Sequence, residues 1–500
     1  MSYIGGGIFN LASSPTVTNC TFIQNTADTG GGMYNSGLGD GDGSNPIVNN
    51  CTFSANNSTG SGGGMFNRAS NPVVTNCTFL GNSAGGSGGG MCNTVQSNPS
   101  VTGCVFSGNS STSSFSGGGG GMSNSTSSPT VTNCSFIENT ATGATHGGGM
   151  YNFLSSPMVD SCTFEGNTAI PNGRGGGISN WSESHSTVTN CTFAANDASF
   201  GGGMANTNSS GVVVDCRFIG NTAPGNDGGG MWNFQSSPTV TNCTFNGNSA
   251  PGGLYVISSG GGMCNIRSAP MVANCTFSYN TADFCGGIAN SDNSNPTISN
   301  CTLSGNSAED DGGAICNGGH SSPTVATCIL WGNSPNGIAS YSSAPLISFS
   351  NIQGSGGSDG WDASLGTDAG GNIDADPLFV DIDGADNAVG TADDNLRLLP
   401  GSPSINTGYP ALIPGPTETD LDGHARVLCV RVDMGAYEFG IGDFDCDQIV
   451  TLTDFADWAG CMTAPEAQSI SPACEAFDFE FDGDVDLIDW AGFQNAFAGP

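Results

Sequence analysis

One short unit recurs along most of the chain and constrains the fold more than any other feature. The unit reads Gly-Gly-Gly-Met/Ile-x-Asn, followed by Ser-x-Pro-Thr-Val-Thr-Asn-Cys-Thr-Phe-x-x-Asn-Thr-Ala. Its cysteine occurs twelve times between Cys20 and Cys328, which is 308 residues in eleven steps and a mean period of 28. A fixed period of this length is typical of a solenoid in which each unit forms one turn.

The local pattern inside a unit favours short strands. Thr16-Val17-Thr18 and Cys20-Thr21-Phe22 alternate polar and apolar residues, and no segment shows helical periodicity. Strands this short bury a face only when they stack in register on the next turn, where they form parallel sheets around a continuous core. We therefore predict an all-β fold over residues 1–352, a parallel β-helix of about 13 coils and about 60 Å in length. The Met/Ile, Val, Cys and Phe columns should face inward.

The cysteines of the repeat allow a redox interpretation and a packing interpretation. Neighbouring cysteines in register would lie a strand spacing apart, which is wider than a disulfide prefers, so we expect buried free thiols. Cys92, Cys264 and Cys316 follow the inward Met/Ile and should point outward, where they could be oxidised. Asn19 and Asn25 end the short strands, where asparagine tolerates left-handed backbone angles and can bond to the next coil.

Charge divides the chain and excludes two classes of partner. The sequence has 43 acidic residues and 7 arginines, without lysine, and its formal net charge is −36. Nucleic acids and anionic membranes both need cationic surfaces, so neither is an expected partner. Residues 1–352 carry 15 of the acids and residues 353–500 carry 28. No apolar run is long enough for a spanning helix.

The repeat also resembles a known family. The pairing of Gly-Gly-x-aliphatic with Phe-x-x-Asn, as in Phe22-Ile23-Gln24-Asn25, resembles the repeats of chlamydial polymorphic outer-membrane proteins and their bacterial relatives. This resemblance covers residues 5 to about 352. It implies that the β-helix is right-handed, lies outside the cell or on its surface, and serves in adhesion.

Residues 353–440 lose the repeat and are strongly acidic. Their last part, Val432-Asp433-Met434-Gly435-Ala436-Tyr437-Glu438-Phe439, looks like the tail that closes many secreted bacterial β-helix proteins. We expect a capping region, because an open coil end exposes unpaired strand edges. Five further acids form either a Ca²⁺ site or a solvated acidic loop, with the loop favoured: Asp381, Asp383, Asp386, Asp393 and Asp394.

Residues 441–500 contain two similar acidic loops. Ca²⁺ takes six to eight oxygen ligands, and loop positions 1, 3, 5, 7, 9 and 12 converge on such an ion. In the first loop these positions are Asp443, Asp445, Asp447, the Ile449 carbonyl, Thr451 and Asp454. In the second loop they are Asp478, Glu480, Asp482, the Asp484 carbonyl, Asp486 and Asp489. Short helices are predicted after each loop, at 455–459 and 490–493.

This duplicated loop and helix resembles a type I dockerin module. The resemblance implies two bound Ca²⁺ ions and a cohesin-like protein domain as partner, with partner choice set at Leu452, Thr453, Leu487 and Ile488. Gln448 stands where the family has the glycine of the sharp turn. Cys461 and Cys474 could clip the linker between the loops in an oxidising compartment, while Cys429 and Cys446 have no assigned partner.

The function expected from these features is a non-catalytic extracellular rod for adhesion or glycan contact, tethered by a Ca²⁺-dependent dockerin-like tail. The alternative is a polysaccharide lyase or glycoside hydrolase on the same β-helix. Acids in the coils are scattered, as with Asp160 and Asp215 two coils apart. A contiguous groove with three or more acids and an arginine would favour the enzyme. Thr-x-Thr ladders also allow ice binding, but Met158-Val159-Asp160 and similar units interrupt them.

Overall fold

The protein is a parallel β-helix, as the period predicts. The structure, a computed structural model, describes residues 4–37, 43–112, 117–143, 146–252, 258–387, 389, 391, 394–410, 419–427 and 431–440, together with 461, 477, 485 and 489. Within these residues, two of the long parallel sheets have 13 strands each and the third has 14. Thirteen strands in a sheet correspond to twelve turns of the chain.

The strands of the three long sheets follow one another in every turn and pair in strict register. The strands of sheet 1 are Ile8–Leu11, Met33–Ser36, Met65–Arg68, Met91–Thr94, Met122–Ser125, Met150–Phe153, Ile178–Trp181, Met204–Thr207, Met231–Phe234, Met263–Ile266, Ile288–Ser291, Ile315–Asn317 and Ile338–Ser340. The strands of sheet 2 are Thr16–Thr18, Ile47–Asn49, Val73–Thr75, Ser100–Thr102, Thr130–Thr132, Met158–Asp160, Thr187–Thr189, Val212–Val214, Thr239–Thr241, Met271–Ala273, Thr297–Ser299, Thr324–Ala326, Leu346–Ser348 and Thr367–Asp368. The strands of sheet 3 are Thr21–Ile23, Thr52–Ser54, Thr78–Leu80, Val105–Ser107, Ser135–Ile137, Thr163–Glu165, Thr192–Ala194, Arg217–Ile219, Thr244–Asn246, Thr276–Ser278, Thr302–Ser304, Ile329–Trp331 and Asn351–Ile352.

Shorter strands occupy the variable part of the unit, between sheet 3 and the next strand of sheet 1. One parallel sheet contains Thr26–Ala27, Asn57–Ser58, Ser83–Ala84, Ser110–Ser111, Thr140–Thr142, Thr168–Arg174 and Asp197–Phe200. Another contains Ser249–Ala250, Thr281–Phe284 and Ser307–Asp311. Phe379–Asp381 and Asn395–Leu398 form an antiparallel pair near the C-terminal end.

The core consists of columns of identical residues, as predicted. The phenylalanines of ten successive turns, from Phe22 to Phe277, stack with ring centroids 4.5–4.9 Å apart and planes within 5°. Leu303, Leu330 and Ile352 continue this column. The glycine triplet lets neighbouring turns approach closely, since a Cβ on Gly120 would lie 2.6 Å from the Gly148 carbonyl oxygen.

The repeat cysteines form a column of free thiols that is buried from Cys51 to Cys328, whereas Cys20 in the first turn is exposed, and this column confirms the packing interpretation. Eight of the thiol sulfurs accept a hydrogen bond from the backbone of the preceding turn, as from the Cys77 N–H to Cys104 Sγ at 3.3 Å. The prediction for the second cysteine set is wrong in part. Cys92 and Cys264 are each 2 % exposed, because loop residues cover the outer face of sheet 1. Cys316 is oxidised, and its partner is Cys285 in the preceding turn.

Two columns of buried asparagines tie the turns together. The first column begins at Asn25 and continues through the following turns, where Asn56 Nδ2 donates to Asn82 Oδ1 at 2.9 Å. A second column begins at Asn10 on sheet 1, where Asn10 Nδ2 donates to Asn35 Oδ1 at 2.8 Å. The expected left-handed conformation is found at Asn19, whose φ is 56°, but not at Asn25, where the preceding Gln24 adopts it with a φ of 53°. The Asn10 column was not predicted from the sequence.

The region after the repeats first continues the solenoid and then turns back along its side. Thr367–Asp368 joins sheet 2 beyond residue 352. Later residues lie against the outer face of sheet 3, where the Ala436 N–H donates to Thr302 Oγ1 at 3.0 Å and Tyr279 OH donates to the Ile382 carbonyl at 2.7 Å. The predicted domain limits at 352/353 and 440/441 stay predictions.

The dockerin-like module falls almost entirely outside the described residues. Of its predicted Ca²⁺ ligands and partner-choice residues, the structure describes Asp489 alone, which is fully buried. Cys461 is disulfide-bonded. The two predicted helices and the Ca²⁺ geometry therefore stay predictions. In the part of the chain that is described, no helix is long and apolar enough to cross a membrane.

Candidate functional site

A cleft of about 420 Å³ lies between sheet 3 and the C-terminal segment. Its floor comes from the outer face of three neighbouring strands, which present Arg217, Thr244, Asn246, Thr276 and Ser278. These side chains point outward because the middle residue of each strand is a core phenylalanine, and successive side chains of a strand alternate between faces.

The opposite wall carries two charged groups and an aromatic ring. Arg397 holds Asp422 with two nitrogens, with Nε 2.6 Å from Oδ2 and Nη2 bonded to Oδ1. Its guanidinium lies 4.9 Å from the centroid of the Tyr437 ring. Burial raises the pKa of the Tyr437 hydroxyl to about 12, so this group stays a neutral donor at physiological pH. Asp394 lies beside them in the wall.

The wall is supported from behind by a buried ion pair. Arg426 Nη2 lies 3.0 Å from Glu438 Oε1, and both side chains are 1 % exposed. Burial raises the pKa of Glu438 well above its usual value and that of Asp433 to about 7. Asp433 accepts hydrogen bonds from the backbone N–H groups of Asn406 and Phe439, both at 2.6 Å. This network positions Tyr437, which lies between Ala436 and Glu438.

Three ligand-type side chains meet next to the cleft. Atoms of Asp420, Asp422 and His424 all lie within 4.8 Å of one another. Their oxygens already have protein partners, because Asp420 accepts the backbone N–H groups of Asp422 and His424, and Asp422 binds Arg397. These hydrogen bonds and the Arg397–Asp422 pair explain the conformation of residues 420–424 without a bound cation.

The cleft contains three acids together with arginine, which is the combination of groups that would favour an enzyme. Asp215, Asp394 and Asp422 supply three carboxyl groups, and Arg217 and Arg397 supply two guanidinium groups. Asp160 does not line this cleft, and its carboxylate accepts hydrogen bonds from Thr189 Oγ1 at 2.7 Å and Asn190 Nδ2 at 3.0 Å. Asp215 is the acid of the repeat turns that lines the cleft.

Sequence reasoning missed Arg217, Arg397 and Tyr437. The two walls come from residues about 200 positions apart, and no periodic pattern joins them. One feature of the sequence could have pointed to the cleft. Arg217 is a cation at an outward position of sheet 3 that is threonine, serine, asparagine or an apolar residue in the other turns.

Comparison with known proteins places the chain in a family. The model of the right-handed beta helix region matches residues 2–156, 87–238, 123–269 and 225–353. These matches cover more than half of the sequence, and the chain belongs to the right-handed beta helix family. A solved structure, the crystal structure of pectate lyase Pel9A, is similar with 13 % identity and a TM-score of 0.36, over 79 % of this chain and 88 % of that chain. No curated protein matches the sequence.

Proposed function

We propose that the protein is a non-catalytic extracellular or cell-surface rod that contacts a glycan in the cleft. The observation that supports this function is the set of groups in the cleft: fixed hydroxyls and an amide from three strands, a guanidinium, and the ring of Tyr437. Sugar hydroxyls pair with such donors and acceptors, and the C–H face of a pyranose packs on an aromatic ring. The three carboxyl groups in the cleft favour a neutral glycan over an acidic one.

The part of sheet 3 that the C-terminal segment does not cover extends the proposed glycan-binding surface beyond the cleft. Towards the first turn, the first residue of each strand faces outward and is mainly threonine or serine, with Val105 as the exception, and includes Thr52, Thr78, Ser135, Thr163 and Thr192. The third residue also faces outward and is mixed, with Ile23 and Leu80 exposed. An extended polymer could lie along this row with one end in the cleft. A rod with evenly spaced hydroxyls suits a polymer better than a small compact ligand.

We expect replacement of Arg217 by glutamine to weaken binding of neutral polysaccharides about tenfold, because a charge-assisted hydrogen bond is lost at an exposed residue that does not hold the fold. The measurement is retention on affinity gels of soluble β-glucan, xylan and mannan. The matched control is Arg68→Gln, an exposed arginine on sheet 1. Equal retention of both variants and the unchanged protein would contradict a role for the cleft.

The enzymatic alternative is a polysaccharide lyase or glycoside hydrolase, and the three carboxyl groups beside two arginines favour it as second candidate. Incubation of the purified chain with the same polysaccharides distinguishes the two functions. New reducing ends or unsaturated products that disappear in Asp215→Asn would establish catalysis and overturn the non-catalytic function.

The tail proposal rests on the two loops in the sequence. We propose that residues 441–500 bind two Ca²⁺ ions and dock to a cohesin-like domain as the tether. This segment has thirteen acids and no basic residue, so cations must neutralise it before it can order. The buried thiol column and the Cys285–Cys316 disulfide are both compatible with an exported protein.

A Ca²⁺ titration of the full chain should increase the helical circular dichroism signal with two equivalents bound. Replacing Asp443 or Asp478 by asparagine should remove about one equivalent each, because each is the first ligand of its loop. Asp359→Asn, outside the tail, is the control. Absence of a helical gain, or no binding below millimolar Ca²⁺, would exclude the calcium-dependent module.

A further inference from the structure

An aromatic patch on the outer face of sheet 1 surrounds Arg174. We call Arg174, Trp181, Phe200, Trp232 and Phe234 the Arg174 patch. The guanidinium carbon of Arg174 lies 4.5 Å from the Trp181 ring centroid, 5.1 Å from that of Trp232 and 5.8 Å from that of Phe200. Phe234 extends the patch, since its ring is stacked 5.7 Å from Trp232. A second arginine, Arg267, lies at the edge of the patch with its guanidinium carbon 5.9 Å from the Phe234 centroid.

Arg174 is a half-buried cation without a counter-ion in the described part of the chain. Its side chain donates no hydrogen bond there, and its Nε is buried without a partner. Three other arginines are paired with acids: Arg267 with Asp292, Arg397 with Asp422, and Arg426 with Glu438. A buried guanidinium normally requires such a partner. Cation–π contacts stabilise the charge but leave the edge of the guanidinium free to donate hydrogen bonds.

The same patch contains another buried donor without an acceptor. Trp232 is 3 % exposed, and its Nε1–H has no hydrogen-bond partner among the residues that the structure describes. Neighbouring His146 stacks on Trp181 at 4.7 Å and uses Nδ1 to accept the Arg174 backbone N–H. Burial, with the charge of Arg174, lowers the pKa of His146 to about 4, so the histidine adds no positive charge at neutral pH.

The variable segment of one turn builds the patch. Its strand, Thr168–Arg174, has seven residues, whereas its counterpart Ser83–Ala84 has two. Its register with the next strand shifts between Ala169 and Arg174. This longer strand places a cation among the rings.

We propose that the Arg174 patch binds an acidic sugar, a hexuronate residue of a glycan. The carboxylate would pair with the free edge of the Arg174 guanidinium, and the pyranose C–H face would pack on the partly exposed rings of Trp181 and Phe234. The net charge of −36 opposes an anion at long range, but at physiological ionic strength charges are screened beyond about 8 Å. The patch is a second surface, and binding there does not depend on the cleft.

The test is a fluorescence titration of the full chain with trigalacturonate, with its methyl ester and with neutral maltotriose, because Trp181 and Trp232 report on the patch. We expect saturable binding of trigalacturonate that weakens at least tenfold on esterification and at least tenfold in Arg174→Gln. Trp181→Ala should also weaken binding while keeping the charge. Arg68→Gln should bind unchanged. Retention of the same protein preparation on the neutral-polysaccharide gels is measured in parallel, which separates failure of the patch from failure of the cleft.

The proposal is overturned by the absence of saturable binding at about 10 mM sugar, by equal binding of the acid and its ester, or by equal binding by folded Arg174→Gln. Circular dichroism and thermal melting identify variants that fail to fold, and Trp181→Ala then serves in place of Arg174→Gln. Tighter binding of a poly-glutamate peptide than of trigalacturonate would assign the patch to acidic proteins and would also overturn it.

Discussion

Replacement of Asn139 by aspartate should lower the free energy of unfolding by about 3–5 kcal/mol. Asn139 is fully buried, and its side chain makes four hydrogen bonds. Its Nδ2 donates to the Phe106 carbonyl at 2.8 Å and to Asn167 Oδ1 at 2.9 Å, and its Oδ1 accepts from the backbone and side chain of Asn109. A carboxylate accepts but does not donate, so each of these two buried oxygens loses one donor and faces a negative charge, and Asn167 Oδ1 keeps the Asn139 backbone N–H.

Urea unfolding followed by circular dichroism measures this loss. Asn57→Asp is the matched control, because Asn57 is an exposed residue in the neighbouring short sheet and its Oδ1 only accepts, from Ser83 Oγ. Turns of a solenoid contact only their neighbours, so protease cleavage should appear first around residues 106–167. If Asn139→Asp and Asn57→Asp unfold at the same urea concentration, the asparagine column contributes little to stability.

Replacement of Arg426 by methionine should destabilise the C-terminal segment by about 3–5 kcal/mol, because it leaves the Glu438 carboxyl buried without its partner. The Ala436–Thr302 contact should be lost with it, and the cleft should open. Hydrogen exchange of residues 431–440 measures the effect directly. Glycan retention should fall in parallel, since Tyr437 belongs to the same segment.

Two further variants test whether the loss of stability in Arg426→Met comes from breaking the Arg426–Glu438 ion pair. The double variant Arg426→Met/Glu438→Gln should recover part of the lost stability, because no uncompensated charge remains. Arg267→Met breaks an exposed pair with Asp292 and should change stability by about 0.5 kcal/mol or less. Normal exchange protection of residues 431–440 in Arg426→Met would show that another contact holds the segment.

The core of the rod was predictable because its signal is local and repeated. Val17 and Phe22 each alternate with polar neighbours, and the same pattern returns in every unit, so the inward columns follow from the period. The Asn10 column was not identified because a buried asparagine looks like a surface residue until its neighbours above and below are known. Cys285 lies outside the repeat positions, so nothing in the spacing paired it with Cys316.

The candidate sites depend on contacts that the repeat does not encode. Arg217 and Asp422 meet only because the C-terminal segment turns back along sheet 3, and its irregular sequence predicts no such path. Arg174 reaches the rings from the variable part of its unit, where the repeat pattern predicts only a tolerant loop. The Ca²⁺ loops are the opposite case, since their spacing alone predicts ligands and the described residues test none of them beyond the burial of Asp489.

Strict register between successive turns affects how the number of units can change during evolution. Gain or loss of one whole unit would join matching edges, with valine meeting valine and phenylalanine meeting phenylalanine, as in the pairing of Val101 with Val131 and Phe106 with Phe136. The reach between the first turn and the cleft would then change in increments of about 4.8 Å. Unequal recombination within the gene could therefore change the length of the protein by whole turns while leaving the other turns intact.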